Sequence, residues 1–152
     1  MRWASVAMLV AIGSAAVSVR AEDPVAVPST VRCGANYTNE LAYRDCIQAV
    51  LDDSNVALKQ VVKAVDRRLQ QRIADEKSAM VDELKAEEVS FRGAQATWQK
   101  YRDAQCDMVA HDYLGGTGRA SGYGKCLADM TRNRILELWG FTGWPPPKSS
   151  GA

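Results

Sequence analysis

The chain has 152 residues, 47% of them apolar and 24% charged, with 19 basic and 18 acidic side chains. This is the length and balance of one globular domain, not of a disordered or fibrous chain. A formal charge of +1 excludes the strong global field that draws nucleic acid or an anionic membrane surface, so any binding must come from a local site.

The first residues read as a leader. Met1-Arg2 is a short basic start, Trp3 to Val17 is apolar and uncharged, and Val19-Arg20-Ala21 sets small residues at the two positions a signal peptidase reads. The apolar run, about 15 residues, is shorter than the ~20 that a membrane-spanning helix needs. Cys33 follows a polar stretch containing Glu22, Asp23, Pro24 and Pro28, the wrong place for a lipid-attachment cysteine. The expectation is a signal peptide over 1–21, cleaved after Ala21, and a periplasmic or secreted chain without a stable membrane anchor. Losing Arg2 and Arg20 leaves 17 basic against 18 acidic residues, a net charge of −1.

Export gives the cysteines their meaning. Cys33, Cys46, Cys106 and Cys126 are an even set, which in an oxidising compartment predicts two disulfides. Their gaps of 12, 59 and 19 residues lack the short spacing of a zinc site. No metal or other cofactor is expected.

Residues 22–37, with Pro24, Pro28, Ser29 and Thr30 and no helical period, read as an extended arm. From Thr38 or Asn39, either a good N-cap and followed by Glu40, a long amphipathic helix begins. Its apolar stripe is Leu41, Ile47, Val50, Leu51, Leu58, Val61, Val62, Val65, Leu69 and Ile73. The pattern weakens over 70–78, and a second stripe follows at Met80, Leu84, Phe91, Ala94, Trp98, Tyr101 and Met108. An unbroken helix from 39 to 112 would be ~110 Å long, so an antiparallel hairpin turning near Ala74 to Lys77 is expected.

The second helix is predicted to end near Tyr113 or Leu114, because Gly115 to Gly124 holds five glycines in ten residues and reads as a flexible connector. A third helix is predicted from Lys125 to Trp139. Gly140, Gly143 and Pro145-Pro146-Pro147 end it, leaving an aromatic and proline-rich tail over 141–152. The fold class is therefore all-α: a helical domain over 38–140, made of a long hairpin and a shorter third helix stapled by two disulfides.

A turn near residue 75 brings all four cysteines to one end of the bundle. Of the three connectivities, Cys33 to Cys46 with Cys106 to Cys126 is favoured, each bond tying a loop to its neighbouring helix; Cys46 to Cys106 with Cys33 to Cys126 is its competitor.

The pattern Trp98-x-x-Tyr101-Arg102-Asp103-x-x-Cys106, a glycine-rich connector, then Cys126-Leu127-x-x-Met130-Thr131-x-x-Arg134-x-x-x-Leu138, preceded by Cys33 and Cys46, resembles the lysozyme inhibitor LprI-like domain. The resemblance runs from Cys33 to about Trp139. It implies a small helical, disulfide-bonded envelope domain, and through the family's namesake a lysozyme-type protein partner. The namesake is a lipoprotein, whereas this leader lacks the lipid-attachment cysteine.

A lysozyme cleft presents a carboxylic acid and a carboxylate, so a blocking protein needs a protruding cation or hydrogen-bond donors. Arg119, Ser121 and Tyr123 on the connector fit that need: guanidinium pairs bidentately with carboxylate, and tyrosine offers rigid contact area. Trp98, Tyr101, Arg102, Asp103, Leu127, Thr131 and Arg134 are assigned structural roles, with Arg102 expected to hydrogen-bond across to another helix or to a carbonyl. His111, the single histidine, reads as a surface residue at a helix C-terminus. The mixed charges Asp66, Arg67, Arg68, Arg72, Asp75, Glu76 and Lys77 read as a solvated face. Gly-Tyr-Gly-Lys at 122–125 is not a P-loop, because Arg119 and Cys126 stand where glycine and Ser/Thr are required. No catalytic constellation is legible. The competing expectation is an envelope interaction or structural protein that docks another component through the bundle surface or the aromatic tail.

Overall fold

The structure, a computed structural model, describes residues 25–34 and 39–145. The leader at 1–21, part of the arm and the last residues of the tail lie outside the described residues. A 3-10 helix, Thr30–Cys33, precedes three α-helices: α1, Glu40–Asp75; α2, Val81–His111; and α3, Arg119–Thr142. No strand occurs among the described residues.

α1 forms because 36 residues run without glycine or proline behind a good cap. Asn39 Oδ1 accepts from the Ala42 amide at 2.9 Å. Its buried residues, Ile47, Val50, Leu51, Ser54, Ala57, Leu58, Val61, Ala64, Val65 and Leu69, recur every three or four positions and make one continuous stripe. Ser54 fits in that stripe because its hydroxyl donates to the Val50 carbonyl.

The hairpin turn spans 76–80, slightly later than its expected place. Glu76 turns the backbone into the extended region, and its carboxylate accepts from the Lys77 and Ser78 amides at 3.0 and 2.8 Å. Hydrogen bonding from the Ser78 side chain and amide holds that carboxyl below its usual pKa.

The charges expected to form a merely solvated face are partly organised. Arg72 Nη1 donates to both oxygens of Glu87, and Arg92 pairs with Asp66 of α1 and Glu88 of its own helix. This exposed ladder sets the register of the hairpin and contributes little stability per pair.

α3 lies along the hairpin and packs mainly on α1; α2 touches α3 more than it touches α1. Two apolar clusters result. One, with Val61, Val65, Leu69, Ile135, Leu138 and Trp139, fills the end away from the cysteines. The other, with Ile47, Val50, Leu51, Leu127 and Ala128, surrounds the buried Cys33 and Cys106.

The second predicted stripe is only partly correct. Leu84 is buried and Phe91 and Trp98 are half-buried, but Met80, Ala94, Tyr101 and Met108 face solvent. Gln95, Cys106 and Ala110 take the inner positions instead. α2 meets its neighbours along one narrow edge, so it supplies fewer buried residues than its apolar content suggests.

The glycine-rich connector is corrected outright. Helix α3 begins at Arg119, inside the segment read as loop, and includes Gly122, Gly124 and Gly140. Of Gly140 and Gly143, both expected to stop α3, Gly143 ends it, at φ 79° as an αL cap.

Candidate functional site

The disulfides are Cys33–Cys46 and Cys106–Cys126, with Cα separations of 5.8 and 5.5 Å. The favoured pairing is the observed one. The first ties the 3-10 helix to the start of α1. The second ties the last turns of α2 to the first turns of α3, on either side of the 112–118 turn. Thr30 adds a polar tether, donating to Asp129 Oδ1 at 2.6 Å while Lys125 binds the other oxygen. The Asp129 hydrogen bond pushes the Lys125 ammonium above its usual pKa.

Close packing explains the glycines at this end. The Tyr113 ring lies across Gly118 and Gly122, and a Cβ on Gly122 would sit 2.3 Å from that ring. A Cβ on Gly124 would lie 3.0 Å from Ile47 Cγ2. A helical glycine costs up to about 1 kcal/mol relative to alanine; here the approach of α1 and of the turn leaves no space for a side chain.

The turn itself is tight. Leu114 N donates to His111 O at 3.0 Å, Gly116 N to Tyr113 O at 2.8 Å and Arg119 N to Gly116 O at 3.1 Å. Leu114 adopts φ 45° and is 94% exposed, followed by Gly115 at φ 82°. A branched apolar residue in the left-handed region and projecting into water is a costly arrangement of a kind that gathers at functional sites.

Of the three residues assigned to the connector, Arg119 is exposed, with no acidic partner among the described residues. Tyr123 is half-buried and packs on the cystine cluster. Ser121 is buried and donates to Glu40 Oε1 at 2.5 Å, an internal bond that locks α3 onto the start of α1. Arg119 and Tyr123 border a concavity of about 380 Å³ shared with Asp107, Ala110, Gly116, Thr117 and Ala120. Leu114 and Tyr113 escaped the sequence reading because neither a positive φ nor a ring seated on glycines leaves a periodic signal. The Gly115-Gly116 pair after an apolar residue was the available hint.

The helix residues that carry the recognisable pattern form a structural stack. Two guanidinium groups lie over the Trp98 ring, Arg102 at 5.3 Å and Arg134 at 5.7 Å from its centre. Arg102 Nη1 donates to the buried Thr131 hydroxyl at 3.1 Å, bridging α2 to α3 as expected. Asp103, though on the outer side, reaches back to accept from Arg102 at 2.8 and 2.9 Å. Arg134 Nε donates to Gln95 Oε1 at 3.1 Å and Nη1 to Glu137 at 3.0 Å. Leu127 is buried, whereas Tyr101 stands 58% exposed outside the stack. His111 is exposed at the end of α2, 3.6 Å from Asp107.

At the opposite end, Trp139 is buried, meets Trp144 edge-on at 5.5 Å and donates through Nε1 to the Pro145 carbonyl at 2.6 Å. Phe141 is 61% exposed and borders a cleft of about 570 Å³ with Phe91, Leu69 and Leu138. The aromatic tail thus divides into a cap and an exposed ring. Trp139→Phe, which deletes the donor and part of the buried indole, should lower unfolding free energy by about 2 kcal/mol. Phe141→Ala should leave it unchanged; urea titration of both variants measures the difference.

Among the described residues, no group of three or more His, Cys, Asp or Glu could hold a metal ion, and no helix is long and apolar enough to cross a membrane. The described residues form a small all-α domain braced by two cystines, with a tight turn between α2 and α3. A family model described as "Lysozyme inhibitor LprI" matches residues 33–138, and the chain belongs to this family. An uncharacterized protein of Rhizobium meliloti is 30% identical over 105 residues, covering 62% of this chain and 76% of that protein. No solved structure matches the chain significantly.

Proposed function

We propose that this protein is an exported, non-enzymatic inhibitor of a lysozyme-type muramidase, and that the 112–118 turn with Arg119 enters the substrate cleft. Family membership supports the partner class. The observation that carries the choice of turn is Leu114, 94% exposed at φ 45° in a hydrogen-bonded turn that leads into α3 at Arg119, whose guanidinium has no acidic partner among the described residues.

A cleft that binds a polysaccharide between two carboxyl groups offers an apolar wall and an acid. Leu114 supplies the apolar contact, and Arg119 supplies a bidentate donor to the carboxylate. Bracing by Cys106–Cys126 orders the turn before contact and reduces the entropy lost on binding. Ser121 has no part in this reading, because its hydroxyl serves Glu40; Tyr123 shapes the concavity behind Arg119.

A turbidity assay of lysozyme acting on cell walls, with oxidised protein in excess, tests the function. Arg119→Ala and Leu114→Asp should each weaken inhibition by roughly tenfold, the loss of one well-placed interface anchor, with unchanged helical circular dichroism. If both variants inhibit like the parent, the turn is not the inhibitory element. If the parent protein inhibits no class of lysozyme, the competing reading gains: docking of another envelope protein through the Phe141 cleft.

A further inference from the structure

α2 carries a second exposed surface, which adjoins the concavity of the 112–118 turn at Asp107. Ala94, Thr97, Tyr101, Ala104 and Met108 recur in alternating steps of three and four, and all are exposed. Tyr101 and Met108 expose 58% and 56% of their surface. They lie on the side of the helix turned away from Gln95, Arg102, Cys106 and Ala110, which meet α1 and α3. Three-four spacing is the seam of a helix pair, yet no helix among the described residues covers it.

Size and charge along the seam are self-complementary in one orientation. Set two copies of α2 antiparallel, with Tyr101 opposite Ala104 of the second copy. Thr97 then falls opposite Met108 and Ala94 opposite His111, so every layer matches a large side chain with a small one. The same register brings Lys100 beside Asp107 of the second copy, twice by symmetry. Among the described residues Lys100 has no acidic partner in its own chain, and Asp107 pairs with the exposed His111 at 3.6 Å while bordering the concavity it shares with Arg119. In a parallel pair the layers would be Tyr101 on Tyr101 and Ala94 on Ala94, and Lys100 would face Gln105.

We propose that this face is a self-association surface: two copies of the chain pair through residues 94–111 of α2, antiparallel, with a two-fold axis near residues 102–103. Each copy gives the other the same patch, as a closed isologous dimer requires. One helix face buried per copy is a small interface, so the dimer is weak and concentration-dependent. It does not depend on lysozyme inhibition.

Sedimentation velocity on the oxidised full chain, from about 10 to about 500 µM, spans the range in which a small interface titrates. A monomer–dimer equilibrium is expected. Lys100→Asp or Asp107→Lys alone turns two attractive contacts into two repulsive ones and should weaken association by roughly tenfold. The double variant Lys100→Asp with Asp107→Lys should restore it, and Tyr101→Asp should abolish it. Circular dichroism confirms that each variant is folded. A monomer at every concentration overturns the proposal, as does a dimer indifferent to Tyr101→Asp or to both single charge reversals. A double variant that stays as weak as the singles overturns the antiparallel register.

Discussion

Removing the second cystine, by Cys106→Ala with Cys126→Ala, should lower the unfolding free energy by about 3 kcal/mol, the loop-entropy value for a closure of this length. The bond closes a separation of 20 residues, and without it the unfolded chain regains that freedom. For a domain of this size the midpoint of thermal unfolding should fall by roughly 10 °C. The companion variant Cys33→Ala with Cys46→Ala opens a separation of 13 and should cost nearly as much, because closure entropy varies only with the logarithm of loop length. With total stability of about 5–15 kcal/mol in ordinary domains, losing both bonds would leave the chain near its folding limit. Inhibition separates the two variants. The first frees the ends of the 112–118 turn and should weaken it; the second, remote from the turn, should not once measured below its lowered midpoint. Equal loss of inhibition in both would show that the turn needs no bracing.

Substituting Gly122 should show strong coupling to Tyr113. Alanine in a helix gains up to about 1 kcal/mol over glycine, so Gly122→Ala stabilises wherever its methyl group has space. Here the methyl would sit 2.3 Å from the tyrosine ring, which must leave its seat. In the parent, lost ring packing should offset the gain or outweigh it. In a Tyr113→Ala background the seat is empty and the full propensity gain should appear. The double-mutant cycle should give a coupling of about 2 kcal/mol, at the high end for residues in direct contact. An additive pair would mean that the ring does not rest on Gly122 in solution. Because Tyr113 immediately precedes Leu114, Gly122→Ala should also displace the exposed apex and weaken inhibition even where stability changes little.

α1 was legible because its stripe is regular and its cap, Asn39, is a residue whose side chain can accept from its own first turn. α2 was legible as a helix but not in its facing. Its apolar residues are spread round the cylinder, and which edge is buried depends on where α3 lies, so Tyr101 and Met108 turned outward and Gln95 inward. Arg119, assigned to the connector from the sequence, is exposed at the start of α3. Ser121 could not be excluded beforehand, because its partner Glu40 lies 81 residues away.

Local chemistry in the chain encodes the all-α class, the cap of α1, the pair of disulfides at one end and the pattern that marks the family. Helical period and cysteine parity act over a few turns and need no partner to be read. Only the tertiary structure decided what the glycines between 115 and 124 do. Glycine is ambiguous in sequence, since the missing side chain both loosens a free backbone and admits a close neighbour. Where Tyr113 and Ile47 press against the chain, the second effect wins, and a segment that reads as a flexible loop becomes the first turns of a buried helix. The flexible connector thereby contracts to a seven-residue turn with Leu114 at its apex.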